Sequence, residues 1–295
     1  GAERGLLIRG GEALEKACQL TTLVFDKTGT LTRGEPVVTD CVPDPGVEME
    51  HLLGVAVSLE AASSHPLARA IVRYGQEGDV FPLPVTGFNA LSGLGARGQV
   101  DGKPCVVGSG RLMADAGVSV GSRGEGLVRD GRTVVFVAEA GRLLGMLGLA
   151  DTPKRSAREA VTALRRMGMK VVMITGDSAG AAHAVASAVG IETVLAEVLP
   201  ARKAEEIGRL QERNEVVAMV GDGINDAPAL AAADIGIALG AGTDVAMEAS
   251  DITLMTDDLR AVPEAIRLSR ATMTVIRQNL FWAFAYNVAL IPLAA

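Results

Sequence analysis

Three apolar runs, each ending in an acidic or hydroxyl-bearing turn, constrain this chain more than any other feature. The run 20–25 leads into Asp26-Lys27-Thr28-Gly29-Thr30-Leu31-Thr32. The run 170–174 leads into Thr175-Gly176-Asp177, and 215–220 into Gly221-Asp222-Gly223-Ile224-Asn225-Asp226-Ala227-Pro228. Unbroken Val/Ile/Met runs are the pattern of strands buried on both faces, and helix-period stretches at 155–167 and 201–213 lie between them. The alternation predicts a doubly wound α/β fold with a parallel sheet. Right-handed crossovers put the carboxyl ends of such strands on one edge, so Asp26, Thr175, Asp222 and Asp226 are expected to converge there.

The chemistry of that edge follows from charge. An Asp held at the end of a parallel strand, on a turn rich in glycine and hydroxyls, is a candidate nucleophile for a phosphoryl group. Carboxylates gathered around a phosphate repel it unless a hard cation lies between them, and oxygen ligands with retained waters describe Mg²⁺. The expected magnesium set is Asp26, the backbone carbonyl of Thr28, Asp222 and Asp226, with Asn225 supporting the same loop. Lys203, at the start of a predicted helix, is expected to neutralise the transferring phosphoryl, and Thr175 and Gly176 to donate hydrogen bonds to its oxygens. Lys27 and Asp177 complete the expected catalytic group. A single Lys is ordinarily a solvated helix residue, so the role given to Lys203 depends on its company.

The DKTGTLT, TGD and GDGINDAP segments together resemble the phosphorylation domain of a P-type ATPase, within the haloacid dehalogenase-like superfamily. The resemblance implies that Asp26 becomes an aspartyl phosphate during each transport cycle. Phosphatases of that superfamily usually carry a second Asp two positions after the nucleophile, which activates water. Thr28 stands there in this chain. A hydroxyl with no adjacent base does not take that proton, so the acyl phosphate should persist, which suits a transporter.

The stretch between Asp26 and Thr175 is too long for a loop and is expected to be an inserted α+β domain. Helical patterns cover 49–62 and 66–76, a Gly-punctuated strand series 85–108, and a hairpin 133–138 and 143–149 turns at Ala140-Gly141. The expected boundaries are a stalk segment at 1–19, a phosphorylation domain at 20–36 and 148–262, a nucleotide-binding domain at 37–147, and 263–295 beyond. An inserted domain with paired exits can hinge over the phosphorylation edge. Its Glu60, His65-Pro66, Gly93-Leu94-Gly95 and Gly108 are similar to the nucleotide-binding domain of heavy-metal-transporting P-type ATPases. That resemblance implies that Glu60 and His65 contact or orient adenine, and that Gly93, Gly95 and Gly108 let backbone approach an ATP bound with Mg²⁺ between two cytosolic domains. Ser109 stands where the family usually has Asn, and Ser178 where Asn commonly follows TGD.

Composition agrees with a catalytic unit joined to something more apolar: 48% of the 295 residues are hydrophobic and mean hydropathy is +0.29. The net charge of −7 argues against nucleic acid as a partner. Cys18, Cys41 and Cys105 have no metal-ligand spacing and read as reduced cysteines of the cytosol. The uncharged stretch 279–295, preceded by Arg267, Arg270 and Arg277 and opened by Phe281-Trp282, predicts a stalk and a transmembrane helix cut short, with cytoplasmic entry into the lipid bilayer. Tyr286-Asn287 within it resembles the pair carried by copper-exporting pumps. That resemblance implies Tyr286 and Asn287 as ligands of transported Cu⁺, actuator and membrane domains outside this chain, and a metallochaperone as a partner. Three alternatives remain from sequence: a soluble aspartate-nucleophile phosphatase, a zinc- or cadmium-transporting relative, and a nucleotide-binding regulatory module without catalysis.

Overall fold

The computed structural model describes residues 5–222, 226–240 and 248–294, with side chains described as far as Val288. Asn225 lies outside the described residues. The chain divides into two compact units: Gly1–Thr32 with Pro153–Asp177 and Ala186–Ala295, and Arg33–Thr152 with Ser178–Val185.

In chain order the elements of the first unit begin with β1 (Leu6–Ile8), α1 (Gly10–Gln19) and β2 (Thr22–Asp26). The second unit supplies β3 (Thr32–Pro43), α2 (Met49–Glu60), α3 (Pro66–Glu77), β4 (Val85–Leu91), β5 (Gly95–Val100), β6 (Lys103–Gly108), α4 (Gly110–Asp115), α5 (Glu125–Arg129), β7 (Thr133–Glu139) and β8 (Arg142–Pro153). Then follow α6 (Ala157–Arg166), β9 (Lys170–Ile174), α7 (Ala179–Val189), β10 (Thr193–Leu195), α8 (Pro200–Gln211), β11 (Val217–Gly221), α9 (Ala227–Ala232), β12 (Ile235–Leu239), β13 (Ile252–Leu254) and α10 (Ala261–Ala294).

The first sheet has the order β1-β13-β12-β11-β2-β9-β10 and is parallel except for β1, which pairs antiparallel with β13. After β2 the chain builds outward through β9 and β10, then returns to β11 on the other side of β2. The order therefore reverses at β2, and such a switch point opens a crevice beyond the strand ends. All five residues of β2 are buried, as are all five of β11 and of β12, which is why these strands read as continuous apolar runs. Val24, Val172, Ile174 and Met219 pack with Ile207 and Leu210 of α8 and Leu230 of α9. On the other face α6 buries Ala157, Ala160, Val161 and Leu164.

The second sheet, β3-β8-β7-β6-β5-β4, is antiparallel wherever its pairings are described. Alternation along β7 splits its residues between two cores. Val135 and Val137 join α2 and α3, whereas Phe136 and Ala138 join Met113 of α4 and Val118. The β7–β8 hairpin turns through Ala140 at φ 48 and Gly141 at φ 79, two successive positive φ values that match the twist of the flanking strands.

The C-terminal end of the described chain is a single long helix. Residues 261–294 form one continuous helix, α10, whose first half buries Val262, Ala265, Ile266 and Ser269. Its later residues, including Leu280, Phe281, Trp282 and Phe284, are exposed. Among the described residues no helix is long and apolar enough to cross a membrane. The sequence pattern gave no sign of β1.

Phe25 is fully buried in the central strand. Phe25→Ala is expected to destabilise the protein by about 3–5 kcal/mol in urea unfolding, because the closely packed sheet closes over the cavity only partly.

Candidate active site

Asp26 is the last residue of β2 and stands opposite Ile174 of β9, while Phe25 stands opposite Val220 of β11. Thr175 and Asp222 follow those neighbours by one and two positions, so the register itself brings the three turns together. Beyond Asp26 the chain makes a tight turn through Lys27–Leu31, with Gly29 at φ 76. A Cβ on Gly29 would lie 2.7 Å from Asp222 Oδ2, so a residue without one is required where the second acidic loop comes up against the first.

A lysine ties the carboxylates together. Lys203 Nζ donates to Asp26 Oδ1 at 2.6 Å and to Asp226 Oδ1 at 2.7 Å, and all three side chains are at most 7% exposed. Pro200 opens α8, which places Lys203 in its first turn and aims it at the strand ends. Asp226 Oδ2 lies against Gly221, where a Cβ would sit 2.8 Å away. Burial, then Asp226, pushes the Asp26 carboxyl up to about 7; Lys203 opposes the shift and Asp222 adds to it. Burial works against the Lys203 charge, but Asp26 and Asp226 outweigh it and hold the amine above its ordinary value.

The TGD turn is fastened from two sides. Thr175, 2% exposed, accepts the Asp177 N–H on Oγ1 at 3.1 Å, and its own N–H donates to the Leu195 carbonyl at 3.0 Å. Gly176 has no neighbour nearer to a built Cβ than the Val198 carbonyl at 3.5 Å. Lys27, buried, pairs with Asp177, and Thr32 Oγ1 donates to the Lys27 carbonyl at 2.9 Å. Thr28 is exposed at the turn. Two hydroxyls were passed over in the sequence: Thr32, and Thr30, whose Oγ1 is buried without a hydrogen-bond partner among the described residues. The density of Thr in the motif was the available signal.

The donor set suits a divalent cation in charge, although among the described residues no three His, Cys, Asp or Glu side chains group to hold one. Asp26, Asp222 and Asp226 are three acids against the single Lys203 ammonium, and after burial itself the acid neighbours help to hold the Asp26 carboxyl up. Mg²⁺ commonly takes only one or two carboxylates, completing its shell with carbonyl, water and phosphate oxygens.

In the other unit, Glu60 closes α2 and is 8% exposed, and burial pushes its carboxyl up to about 7, opposed only by a hydrogen bond with Ser63. His65 is the N-cap of α3: its Nδ1 accepts the Leu67 N–H at 3.2 Å. Ser109 caps α4 in the same way, its Oγ accepting the Leu112 N–H at 3.3 Å. Gly95 and Gly108 oppose each other across β5 and β6. A Cβ on Gly95 would strike the Val107 carbonyl and lie 2.5 Å from Gly108 Cα; one on Gly108 would strike the Leu94 carbonyl. These two glycines are thus required by the close approach of two strands. Gly93, at φ 71, faces open space. Tyr286 and Asn287 join neither group: both are exposed on α10, where Asn287 Nδ2 donates to the Ala283 carbonyl at 2.9 Å.

The family model that matches this chain describes a haloacid dehalogenase-like hydrolase and covers residues 20–234. The chain belongs to the haloacid dehalogenase-like hydrolases. Within that family its relatives are P-type ATPases. It is 52% identical, over its whole length, to the probable copper-transporting ATPase PacS of Synechococcus elongatus, and 49% identical to the probable copper-exporting P-type ATPase V of Mycobacterium tuberculosis. It spans 40% and 39% of those two proteins. Among solved structures, a zinc-transporting PIB-type ATPase in the E2.Pi state superimposes with TM-score 0.86 at 39% identity, over 98% of this chain and 48% of that one. The catalytic domain of the CPx-ATPase CopB-B superimposes at 0.71 with 30% identity, over 90% of this chain and 96% of that one.

A carboxyl raised on folding stabilises below its unfolded value near 4, and the gain is lost as pH rises through about 7. In metal-free buffer Asp26→Asn is therefore expected to melt above the parent at pH 8, with the gap closing by pH 5. Separately, Gly95→Ala and Gly108→Ala should each cost about 2–4 kcal/mol, against about 1 kcal/mol for Gly93→Ala. Urea unfolding of the three variants checks the order.

Proposed function

We propose that this chain is the ATP-binding and phosphorylation unit of a P-type ATPase that moves Cu⁺ across a membrane through an aspartyl phosphate on Asp26. The observation that carries the reading is the buried Asp26–Lys203–Asp226 bridge at the switch point of the sheet. An Asp oxygen attacks the γ-phosphorus of ATP, the bond to the β,γ-bridging oxygen breaks, and ADP departs with that electron pair. Lys203, already 2.6 Å from the nucleophile, stays beside the transferring phosphoryl and offsets its charge. Asp226 orients the lysine from the other side. Thr175, whose oxygen is occupied by the Asp177 N–H, has its hydroxyl proton left to donate to a phosphoryl oxygen. The Lys27–Asp177 pair holds the two turns in register.

Mg²⁺ held by Asp26, the Thr28 carbonyl and Asp222 would supply the positive charge that keeps the Asp26 carboxyl ionised and screens the incoming phosphate. Thr28 is no general base, so the intermediate outlasts the chemistry and leaves time for a conformational change elsewhere in the protein. Glu60 and His65 are assigned to the adenine base, and Gly93, in open space at positive φ, to close approach of the nucleotide.

Copper is favoured over zinc by the identity of about half to proteins named as copper transporters, against 39% to the zinc-transporting structure. Tyr286 and Asn287 are assigned to the path of the metal. The same reading places the unit on the cytoplasmic side of a bilayer, with actuator and membrane domains and a metallochaperone as partners.

Incubation with γ-³²P-labelled ATP and Mg²⁺ is expected to give an acid-stable, hydroxylamine-labile label that Asp26→Asn abolishes and Lys203→Ala reduces at least tenfold. Undiminished labelling of Asp26→Asn contradicts the assignment. In the membrane-embedded protein, ATPase activity stimulated by Zn²⁺ and not by Cu⁺ would move the cargo to the second reading.

A further inference from the structure

At the amino end of α2, the end away from Glu60, the second unit holds a cavity of about 540 Å³, within the size range of small-molecule sites. Its floor is apolar: Val55 of α2 and Val100 of β5 belong to the core beneath, and Val80 packs against the same core. The segment after α3 forms one wall, pinned where the Leu83 N–H donates to Ser58 Oγ of α2 at 2.8 Å. That anchor leaves Phe81 and Leu83 exposed beside the opening. Gly54 keeps the space clear. It stands in the middle of α2, where glycine weakens a helix relative to alanine, and a Cβ built on it meets nothing within 4 Å. Gly75 of α3 is different, because a Cβ there would strike Val57 of α2 and the contact between the two helices requires its absence. Packing therefore explains Gly75 and not Gly54, whose missing side chain deepens the cavity that it lines.

The mouth of the cavity is acidic. Glu48, Glu50, Asp79, Asp101 and Glu139 stand round it against one ammonium, that of Lys103, with His51 beside them. The positive end of α2 accounts for Glu48 and Glu50, but Asp79 follows α3 and Asp101 lies in the turn between β5 and β6. Lys103 and His51 both reach Glu139, at 3.3 Å each, and the other four acids form no ion pair among the described residues. Nor do the acids converge on a point, since among the described residues no three His, Cys, Asp or Glu side chains group to hold a metal ion. Negative charge spread round an apolar floor suits a cation that is itself extended and partly apolar. The alkyl ammonium of Lys103 on Glu139 is an example of the contact within the chain.

We propose that this cavity binds a linear aliphatic polyamine. Its methylene runs lie along Val55, Val80 and Val100, and its ammonium groups meet Asp79, Asp101 and the acids at the start of α2. A compact inorganic cation would answer only part of this charge and none of the apolar floor. A neutral apolar ligand would leave the acids unanswered.

Titration calorimetry with spermidine on the nucleotide-free protein, in about 0.15 M salt, tests the site, because that salt screens loose attraction to the net charge of −7. Saturable binding of one spermidine per chain is expected. Gly54→Leu keeps every charge and fills the cavity, and should weaken binding by about tenfold or more. Asp79→Asn combined with Asp101→Asn, two positions at positive φ that Asn tolerates, should do the same with the cavity open. Glu125→Gln, on α5 outside the cavity, should bind as the parent does. Urea unfolding reports whether Gly54→Leu is folded; if it is not, the paired Asn variant decides alone. No saturable binding by the parent overturns the inference, as does a folded Gly54→Leu or the paired Asn variant binding as tightly as the parent. Equal weakening by Glu125→Gln would reduce the effect to net charge and overturn it too.

Discussion

The structure depends on a single buried ammonium group between two buried carboxylates. Asp26 and Asp226 stand at the ends of strands drawn together by the parallel sheet, and their mutual repulsion in a site closed to water would be costly without Lys203. Removal of the lysine leaves two facing carboxylates in the interior, whereas removal of either acid leaves a one-to-one ion pair. The same arrangement is what a phosphoryl-transfer site needs, because the group that holds the carboxylates in place also faces the incoming charge. Stability and chemistry are thus coupled at one point, and the third acid, Asp222 against Gly29, leaves the site with the negative excess that a divalent cation relieves.

Much of this was legible in the sequence because the relevant signals are local. The runs ending at Asp26, Ile174 and Val220 are strands buried on both faces, and parallel topology converts three distant turns into neighbours without further information. The helices 49–60, 66–77 and 200–211 carried their own periodicity and, in two cases, a proline at the first turn. Other features were not legible because they are relations between distant residues. The pairing of Lys27 with Asp177 joins two motifs across 150 positions, and β1 pairs with β13 across nearly the whole chain. A three-residue strand at the edge of a sheet has too little length to show a period.

The glycines show how the same residue type carries different meanings. Gly93, Gly95 and Gly108 look alike in sequence as sites for close approach of a ligand. In the fold, Gly95 and Gly108 lie against each other, strand against strand, whereas Gly93 faces open space. His65 and Ser109 carry a similar lesson, since each uses a side-chain atom to cap a helix. A capping role does not exclude a ligand from the other ring nitrogen of His65, but it leaves the short Ser109 hydroxyl little to offer in place of the usual Asn amide. The exposed Phe281, Trp282 and Phe284 of α10 are a feature of a different kind, an apolar surface on a helix that no described element covers.

The central claim is that Asp26 receives the phosphoryl group while Lys203 and Asp222 remain at its side. A crystal structure of the protein grown with Mg²⁺ and beryllium fluoride, which forms a phosphoryl mimic on a nucleophilic carboxylate, tests it most directly. The account predicts trifluoroberyllate on an Asp26 oxygen, with Lys203 Nζ within hydrogen-bond distance of a fluorine and a metal ion joining Asp222 to the adduct. An unmodified Asp26 still bridged by Lys203 to Asp226, or an adduct on any other carboxylate, would contradict it.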